Sequence, residues 1–358
     1  MTPADMGSQP LDILAIGLCT PLGLTARATQ AEIAAGTARM FQTDVSDPWG
    51  EPVRASMLEP LGAALPRTER MAAMAITALQ DCMRDVPSPG PHPLPLLPLV
   101  LGLSAPEEGA PLDVEELVRA IEEAGVHWHI QLAPRGALAL GRAAFFHALC
   151  RASALLDTLR CPRVLVGAVD SFCDRESLQR LAAQGRTLGG PHRDGIIPGE
   201  GAGFVLVSKA GGMETRAHTA RGRVLGCALA TDERHFLQPQ PPLGHGLTEV
   251  FQRLRVHPVT GTRRADFFLS CQSTEAFWGR EFTQAYLRNI ELLPEPLTGE
   301  VIAGSLGDPG AAAGIIQTGM ALHARGNWGE ARPGVWRTLV YGCSDRGHVG
   351  ACMVEVQT

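Results

Sequence analysis

Lysine is almost absent from this sequence. Of the 31 basic residues, Lys209 is the sole lysine and the remainder are arginines. Chemistry that needs a lysine elsewhere is therefore excluded, including a phosphate loop of the Gly-x-x-x-x-Gly-Lys type. A glycine-rich dinucleotide motif is also missing after the first predicted strand. The formal net charge of −6 gives no basic field for nucleic acid or anionic lipid, so we expect no nucleic-acid partner, and no cofactor is indicated.

Paired cysteine motifs are missing as well. The nine cysteines form no C-x-x-C pair, which argues against zinc ribbons and thioredoxin chemistry. His127 and His129 flank Trp128 as on one face of a strand, but spacing places no third ligand, so we expect no metal site. Residues 1–10 contain no basic residue, so no secretory signal is expected. An odd number of cysteines then fits a reducing cytoplasm.

Long apolar helices that could cross a membrane are not indicated. The longest uncharged run, residues 86–106, holds seven prolines, which a membrane-spanning helix could not accommodate. We therefore expect no membrane span. Pro87–Pro98 is predicted to be a loop that leads into a buried strand at Leu99–Leu103. With 45% hydrophobic and 19% charged residues, the chain is expected to fold as a globular protein.

Apolar runs of strand length alternate with helical patterns, which predicts an α/β fold. A helix predicted at Gly141–Leu159 is apolar nearly all round and should be buried. A second apolar helix is predicted at Gly310–Ala324, and the buried strands Val164–Val169 and Thr338–Cys343 follow the two helices. The other predicted elements are helices at Arg27–Met40, Thr68–Arg84, Val114–Ala124 and Glu275–Asn289, a strand at Asp266–Ser270, and adjacent strands at Phe204–Val207 and Arg223–Ala230.

The similarity of these two helix–strand units predicts an internal duplication. A length of 358 residues is enough for about two domain-sized units. We divide the chain into an N-terminal half, residues 1–210, and a C-terminal half, residues 211–358, which together form one compact unit. Two similar α/β halves with central buried helices predict a five-layered arrangement.

Several short motifs occur in a recognisable order. A turn ends at Gly23, a strand with small residues spans Val166–Ser171, and Gly307 with Asp308 precedes the second apolar helix. Between them lies a glycine-rich signature, formed by Arg193, Asp194, Gly195, Gly199, Glu200, Gly201 and Gly203. In this order the motifs resemble those of the thiolase-fold β-ketoacyl synthases, the condensing enzymes of fatty-acid and polyketide synthesis. The resemblance implies an αβαβα fold, with Glu200 as a structural acceptor for backbone N–H groups.

The resemblance also implies a catalytic set of one cysteine, two histidines and one lysine. The cysteine should precede the first buried helix, but Gln131–Arg142 contains no Cys, Ser or Thr. The nucleophile position falls on Arg142 or, with a small shift, near Leu138. Neither side chain can attack an acyl thioester.

The histidine and lysine positions differ from the family pattern too. Cys271 or Gln272 stands at the first histidine, and Asp308 stands at the second. The lysine position falls near Ile302 or Ala303, far from Lys209 in the sequence. His348 lies in the C-terminal glycine turn and is the best-placed imidazole, although it has no nucleophile to activate.

These positions predict a catalytically inactive ketosynthase-like protein that works through protein contacts. It would be a homodimer or, like a chain-length factor, the non-catalytic partner of an active synthase. Acyl carrier protein is a further candidate partner. One alternative is an adaptor that helps load effectors in a bacterial secretion system, with a component of that system as partner. The other is an acyl transferase whose catalytic group has moved to another position, at Cys150, Cys271 or His348.

Overall fold

The computed structural model describes residues 5–86, 96–159, 161–190, 193–212, 220–261, 263–323 and 334–357. Most of the proline-rich loop predicted at Pro87–Pro98 lies outside these ranges, as does the predicted helix end at Ala324. The strands are β1 (Leu11–Cys19), β2 (Phe41–Ser46), β3 (Pro52–Ala55), β4 (Leu97–Leu103), β5 (Ile130–Ala139), β6 (Val164–Ser171), β7 (Glu200–Lys209), β8 (Gly222–Thr231), β9 (Phe267–Ser270), β10 (Gly299–Val301), β11 (Val335–Cys343) and β12 (His348–Gln357).

Ten of these strands form two sets with the same topology. The first set has the order β5-β4-β6-β7-β1, and the second has the order β10-β9-β11-β12-β8. In each set one strand, β7 or β12, is antiparallel to both of its neighbours. The other pairs are parallel: β4 pairs with β5 and β6 in the first set, and β9 pairs with β10 and β11 in the second. The sets join where Leu11–Ile13 pairs with Gly222–Val224. This matched strand order confirms the predicted duplication.

Helices cover the outer faces of the two strand sets and also lie between the sets. They are α1 (Ala26–Ala34), α2 (Arg67–Met83), α3 (Val114–Ala124), α4 (Ala144–Thr158), α5 (Arg175–Ala183), α6 (His245–Val256), α7 (Ala276–Arg288), α8 (Ala303–Leu306) and α9 (Ala313–Leu322). Helices α4 and α9 contact strands of both sets, α2 and α3 pack on the outer face of the first set, and α6 packs on the outer face of the second. The fold therefore has the five layers that the sequence predicts.

The two central helices are close because their contact surfaces carry small residues. A Cβ atom at Gly314 of α9 would lie 2.9 Å from the Cβ atom of Phe145 in α4, so glycine permits the approach. Phe145 and Phe146 are fully buried in a core that includes strands of both halves. Burying such helices is favourable in proportion to the apolar area removed from water.

Three local predictions are corrected by the structure. The first helix ends at Ala34 and not at Met40, because Gly36 adopts a φ of 73°. Strands β7 and β8 are not neighbours, since β1 lies between them. His127 belongs to a 3-10 turn and His129 has a φ of 51°, so the two do not share a strand face.

Among the described residues, no helix is both long enough and apolar enough to span a bilayer.

Candidate functional site

The predicted nucleophile segment forms a sharp connection between β5 and α4. Gly141 has a φ of 58° and begins a 3-10 turn at Gly141–Ala143 that leads into the helix. A Cβ atom at Gly141 would lie 2.8 Å from Oε2 of Glu108, so both the backbone angle and the packing favour glycine. Arg142 follows, with its side chain buried. Leu138 is half-buried in β5 and packs against the central core.

The Arg142 guanidinium is fully engaged by two carboxylates. Its Nη2 donates to Oδ2 of Asp308 at 2.5 Å, and its Nε donates to Oδ1 of the same residue at 3.2 Å. Its Nη1 donates to Asp345 at 2.8 Å. Burial opposes the charge, yet Asp308 and Asp345 raise the pKa of Arg142 further above its usual range. The group at the nucleophile position is thus a permanent cation with no free electron pair.

A second arginine extends this cluster. Arg186 donates to both oxygens of Glu275, at 3.1 and 3.0 Å, and also to Asp345. Burial alone would raise the pKa of Asp345, but Arg142 and Arg186 hold it below its usual range. We call Arg142, Asp308, Asp345, Arg186 and Glu275 the cleft cluster.

Aromatic rings close one side of the cleft cluster. The Arg142 guanidinium lies 5.2 Å from the ring centroid of Trp278, and the Arg186 guanidinium lies 4.5 Å from that of Phe236. Trp278 and Phe236 stack at 5.4 Å with an interplanar angle of 17°. The Trp278 indole N–H also donates to Glu275 at 3.1 Å. These contacts hold both arginines in place.

The two candidates for the first histidine position face the protein interior. Cys271 is buried, and its thiol lies 3.7 Å from the Gln317 side-chain oxygen. Desolvation raises its pKa well above the usual range for a thiol. The Gln272 amide, oriented to satisfy both groups, accepts from Cys343 N at 2.8 Å and donates to Cys343 O at 3.3 Å. Neither side chain presents a proton donor to the Arg142 position.

The remaining candidates make contacts with other groups. The His348 ring packs against His147 with centroids 5.8 Å apart, and burial followed by the charge of Arg346 lowers the pKa of His348. Cys150 is buried inside α4, where its thiol lies 3.8 Å from the Cys227 carbonyl. Lys209 pairs with Asp157 at 3.0 Å at the end of β7. The structure therefore brings Arg142 and Asp308 into direct contact and gives these side chains other partners.

The glycine-rich signature lies where the two halves meet. A Cβ atom at Gly199 would lie 2.3 Å from the Leu306 carbonyl oxygen. Cβ atoms at Gly201 and Gly203 would each lie 2.9 Å from an isoleucine side chain of α9, Ile316 and Ile315 respectively. Glu200 is buried and accepts from Leu58 N at 2.7 Å and from the Ser171 hydroxyl at 2.7 Å. It also pairs with Arg70, with Nη1–O distances of 2.8 and 3.0 Å.

The first part of the signature positions α7. Asp194 accepts from Ala276 N at 2.7 Å at the start of that helix, and the Gly195 carbonyl accepts from Thr274 at 2.8 Å. Arg193 is exposed.

Sequence reasoning missed Arg186, Glu275, Asp345 and Asp170. Asp170 closes β6, and Asp345 follows β11 by two residues, which are matching strands in the two halves. A carboxylate at the end of a buried strand is a signal for a site, because ligands of α/β sheets bind beyond the carboxyl ends of strands. Within the described residues, no group of three or more His, Cys, Asp or Glu side chains could hold a metal ion.

Comparison with known proteins yields matches among solved structures alone. No family model matches the chain, and no curated protein matches it. The ishigamide ketosynthase/chain length factor has a TM-score of 0.79 at 14% identity, covering 98% of this chain and 100% of that one. This chain has the thiolase-like fold of the ketosynthases. At such low identity the likeness establishes the fold alone.

Two further ketosynthase structures match over the same length. The ketosynthase from module 6 of the bacillaene synthase from Bacillus subtilis 168 has a TM-score of 0.76 at 13% identity, covering 98% of this chain and 72% of that one. AntDE:AntF, described as a type II polyketide synthase acyl-carrier protein in complex with its ketosynthase bound to the hexaketide, has a TM-score of 0.76 at 12% identity, covering 98% and 100%.

Proposed function

We propose that this chain is a catalytically inactive ketosynthase-like protein that acts through protein contacts. The observation that carries the proposal is the position and bonding of Arg142. Its guanidinium occupies the turn where the resemblance implies a nucleophile, and Asp308 and Asp345 engage it from both sides. An arginine side chain stays protonated in proteins and cannot form an acyl thioester.

The neighbouring groups do not supply the missing chemistry. A thiolate is the nucleophilic form of cysteine, and burial raises the pKa of Cys271 well above the usual range. Asp308 is an acceptor for Arg142 and for Gly310 N at 3.0 Å, so it cannot serve as an imidazolium would. These contacts disfavour the alternative in which an acyl group is carried by a displaced nucleophile.

The structural relatives support the kind of partner that we propose. One is a ketosynthase/chain length factor and another is a ketosynthase in complex with an acyl-carrier protein. Strand β5 is an outermost strand, so one side of its backbone is available to a partner, although Pro134 and the positive φ of Arg135 interrupt it. We infer either a homodimer or a heterodimer with an active synthase.

Intact mass measurement tests the loss of acyl transfer. The wild-type chain is incubated with an acyl thioester, beside an active ketosynthase as positive control. We expect the mass of the chain to stay unchanged. The Arg142→Cys variant should also stay unmodified or nearly so, because the histidines and lysine of the catalytic set are still missing. An acyl adduct on the wild-type chain would falsify the proposal of inactivity.

Reconstitution tests the role as partner. The chain is purified with candidate synthases and acyl carrier protein, and complex formation and product chain length are measured. A stable dimer, or a shift in product length when the chain is added, supports the proposal. Absence of any self-association, synthase complex or product change would reject it. Capture of a secretion-system component in place of a synthase would favour the adaptor alternative.

A further inference from the structure

A cavity of about 150 Å³ lies beside the cleft cluster. One wall is apolar and includes Phe172, Leu181 and Ile196. Charged side chains also line it, among them Glu108 and the cleft-cluster residues Arg142, Arg186, Asp308 and Asp345. This is about the volume that five water molecules occupy in the liquid. A small organic molecule fits such a space, whereas a long acyl chain is too large for it.

The charged groups around this cavity are paired, with one exception. Arg142 pairs with Asp308 and Asp345. Arg186 pairs with Glu275 and with Asp345. Arg346 pairs with Glu107. The Glu108 carboxylate accepts from Ala105 N at 3.1 Å, and no ion pair reaches it among the described residues. The ionised form of a half-buried carboxylate is unfavourable, because it loses hydration and here receives no direct ion pair.

The backbone that carries Glu108 is held firmly by buried groups. Arg67 donates from Nη1 to the Glu108 carbonyl at 2.6 Å and to the Ala110 carbonyl, and from Nη2 to Asp170 at 2.7 Å. Arg67 and Asp170 are almost fully buried, with side-chain exposures of 2% and 0%. On its other side the Glu108 carboxylate packs against Gly141. The carboxylate is therefore presented in one orientation and is not a mobile surface group.

We propose that this cavity binds a small primary ammonium compound with a short apolar chain. The ammonium group lies against Glu108, and the chain lies along Phe172, Leu181 and Ile196. An anionic ligand would meet Glu108, Asp308 and Asp345, while the arginine donors nearest to it are already used. A neutral acyl chain would give the ionised form of Glu108 no direct cationic partner. The proposal does not rest on the proposed function, because an amine site is compatible with an active or an inactive chain.

Proton release should accompany this binding. Burial raises the pKa of Glu108 to about 8, and the charge of Asp345 and, less strongly, that of Asp170 act in the same direction. The charge of Arg142 opposes this rise. The other charged groups that line the cavity are Asp308, Arg186, Glu107 and Arg346. A bound ammonium favours the ionised carboxylate, so affinity should rise with pH up to about 8 and then level off, by about tenfold or more from pH 6.5 to pH 9.

The test is a calorimetric titration of the whole chain with three probes of similar size, butylammonium, butan-1-ol and butyrate, at pH 6.5 and pH 9. We expect butylammonium to bind more tightly than the other two and to release protons at pH 6.5. The Glu108→Gln variant should bind it at least about tenfold more weakly, the loss typical of a charge-assisted contact. The control Glu176→Gln removes an exposed carboxylate on α5, paired with Arg180, and should bind as wild type does.

Three results would overturn the proposal. They are absence of saturable butylammonium binding by wild type, tighter binding of butyrate or butanol, and equal affinity in the Glu108→Gln variant. Circular dichroism of each variant verifies folding, and acylation by a thioester is a separate readout that bears on the proposed function alone.

Discussion

Two buried arginine–carboxylate clusters in this molecule have different surroundings. Arg70 and Glu200 have side-chain exposures of 0%, and both carboxylate oxygens of Glu200 have donors from Arg70, Leu58 N and Ser171. The cleft cluster around Arg142 is nearly as buried, but it borders a cavity. Glu200 belongs to the glycine-rich signature of the resemblance, whereas Arg142 and Asp308 depart from the family pattern.

This difference indicates what each cluster contributes. A buried ion pair is not stabilising by itself, because desolvation offsets much of the attraction, but removal of one partner leaves a costly buried charge. The Arg70–Glu200 pair is enclosed and joins α2 to the signature strand, so little can relax around it. The cleft cluster shares Asp345 between two arginines and has space beside it. We therefore expect the first cluster to tolerate change less than the second.

The largest effect is expected for Arg70→Met. The substitution leaves Glu200 as an uncompensated buried charge, and the free energy of unfolding should fall by about 3–5 kcal/mol. Chemical denaturation at neutral pH measures the change. Adding Glu200→Gln should recover a large part of the loss, because the amide carries no charge. A loss below about 1 kcal/mol in the single variant would show that the pair is not a fixed structural element.

A smaller loss, about 2 kcal/mol, is expected for Arg142→Met. Asp308 loses its partner, but Asp345 keeps Arg186, and water from the cavity can reach the site. The same denaturation experiment compares the two arginine variants directly, and Asp308→Asn in the Arg142→Met background should restore stability. If Arg142→Met lowers the free energy of unfolding as much as Arg70→Met does, then the cavity does not reduce the cost of the unpaired carboxylate and the two clusters are energetically alike.

Glu108→Gln should change stability in the opposite direction. The pKa of Glu108 is raised to about 8 by burial, against about 4.3 for an unfolded glutamate. The stability that this protonated carboxyl contributes is fully present below about pH 4.3, declines as pH rises above that value and is lost once pH has passed through 8.

The variant should therefore be more stable than wild type at pH 9, by about 2 kcal/mol after allowance for partial exposure, and equal near pH 4. Thermal melts across this pH range give the comparison. Parallel curves for the two proteins would mean that Glu108 titrates normally.

The fold could be predicted from the sequence more completely than the site. Buried helices such as Gly141–Leu159 leave a clear signal, because an apolar stretch without a polar face has one favourable location. The duplicated strand order follows from the same pattern. The end of α1 could not be predicted as well, because the Ala-rich sequence continues past Ala34 and the turn depends on the backbone angle φ at Gly36.

The site was predictable only in part for a physical reason. The positions of Arg142 and Asp308 within the motifs predict that both belong to the site, and the structure brings the two side chains into contact. Arg186 and Glu275 join them from 44 and 133 residues away from Arg142 in the sequence, as the numbering shows. Long-range pairing of this kind depends on how the two halves pack and leaves no local periodicity.

The smallest effect is expected for thiol labelling, which compares the surroundings of the two clusters. Cys173 lies beside Glu200 and Cys271 lies beside Arg142, and in both cases burial raises the pKa of the thiol well above its usual range. Cys161 is the half-buried exception among nine free cysteines. Iodoacetamide should therefore modify the native chain at Cys161 first, while Cys173 and Cys271 stay unmodified until the protein unfolds. Peptide mass mapping locates the label. Rapid modification of Cys271 in the folded chain, with Cys173 protected, would instead indicate an accessible thiol in the cleft and would revive the displaced-nucleophile alternative.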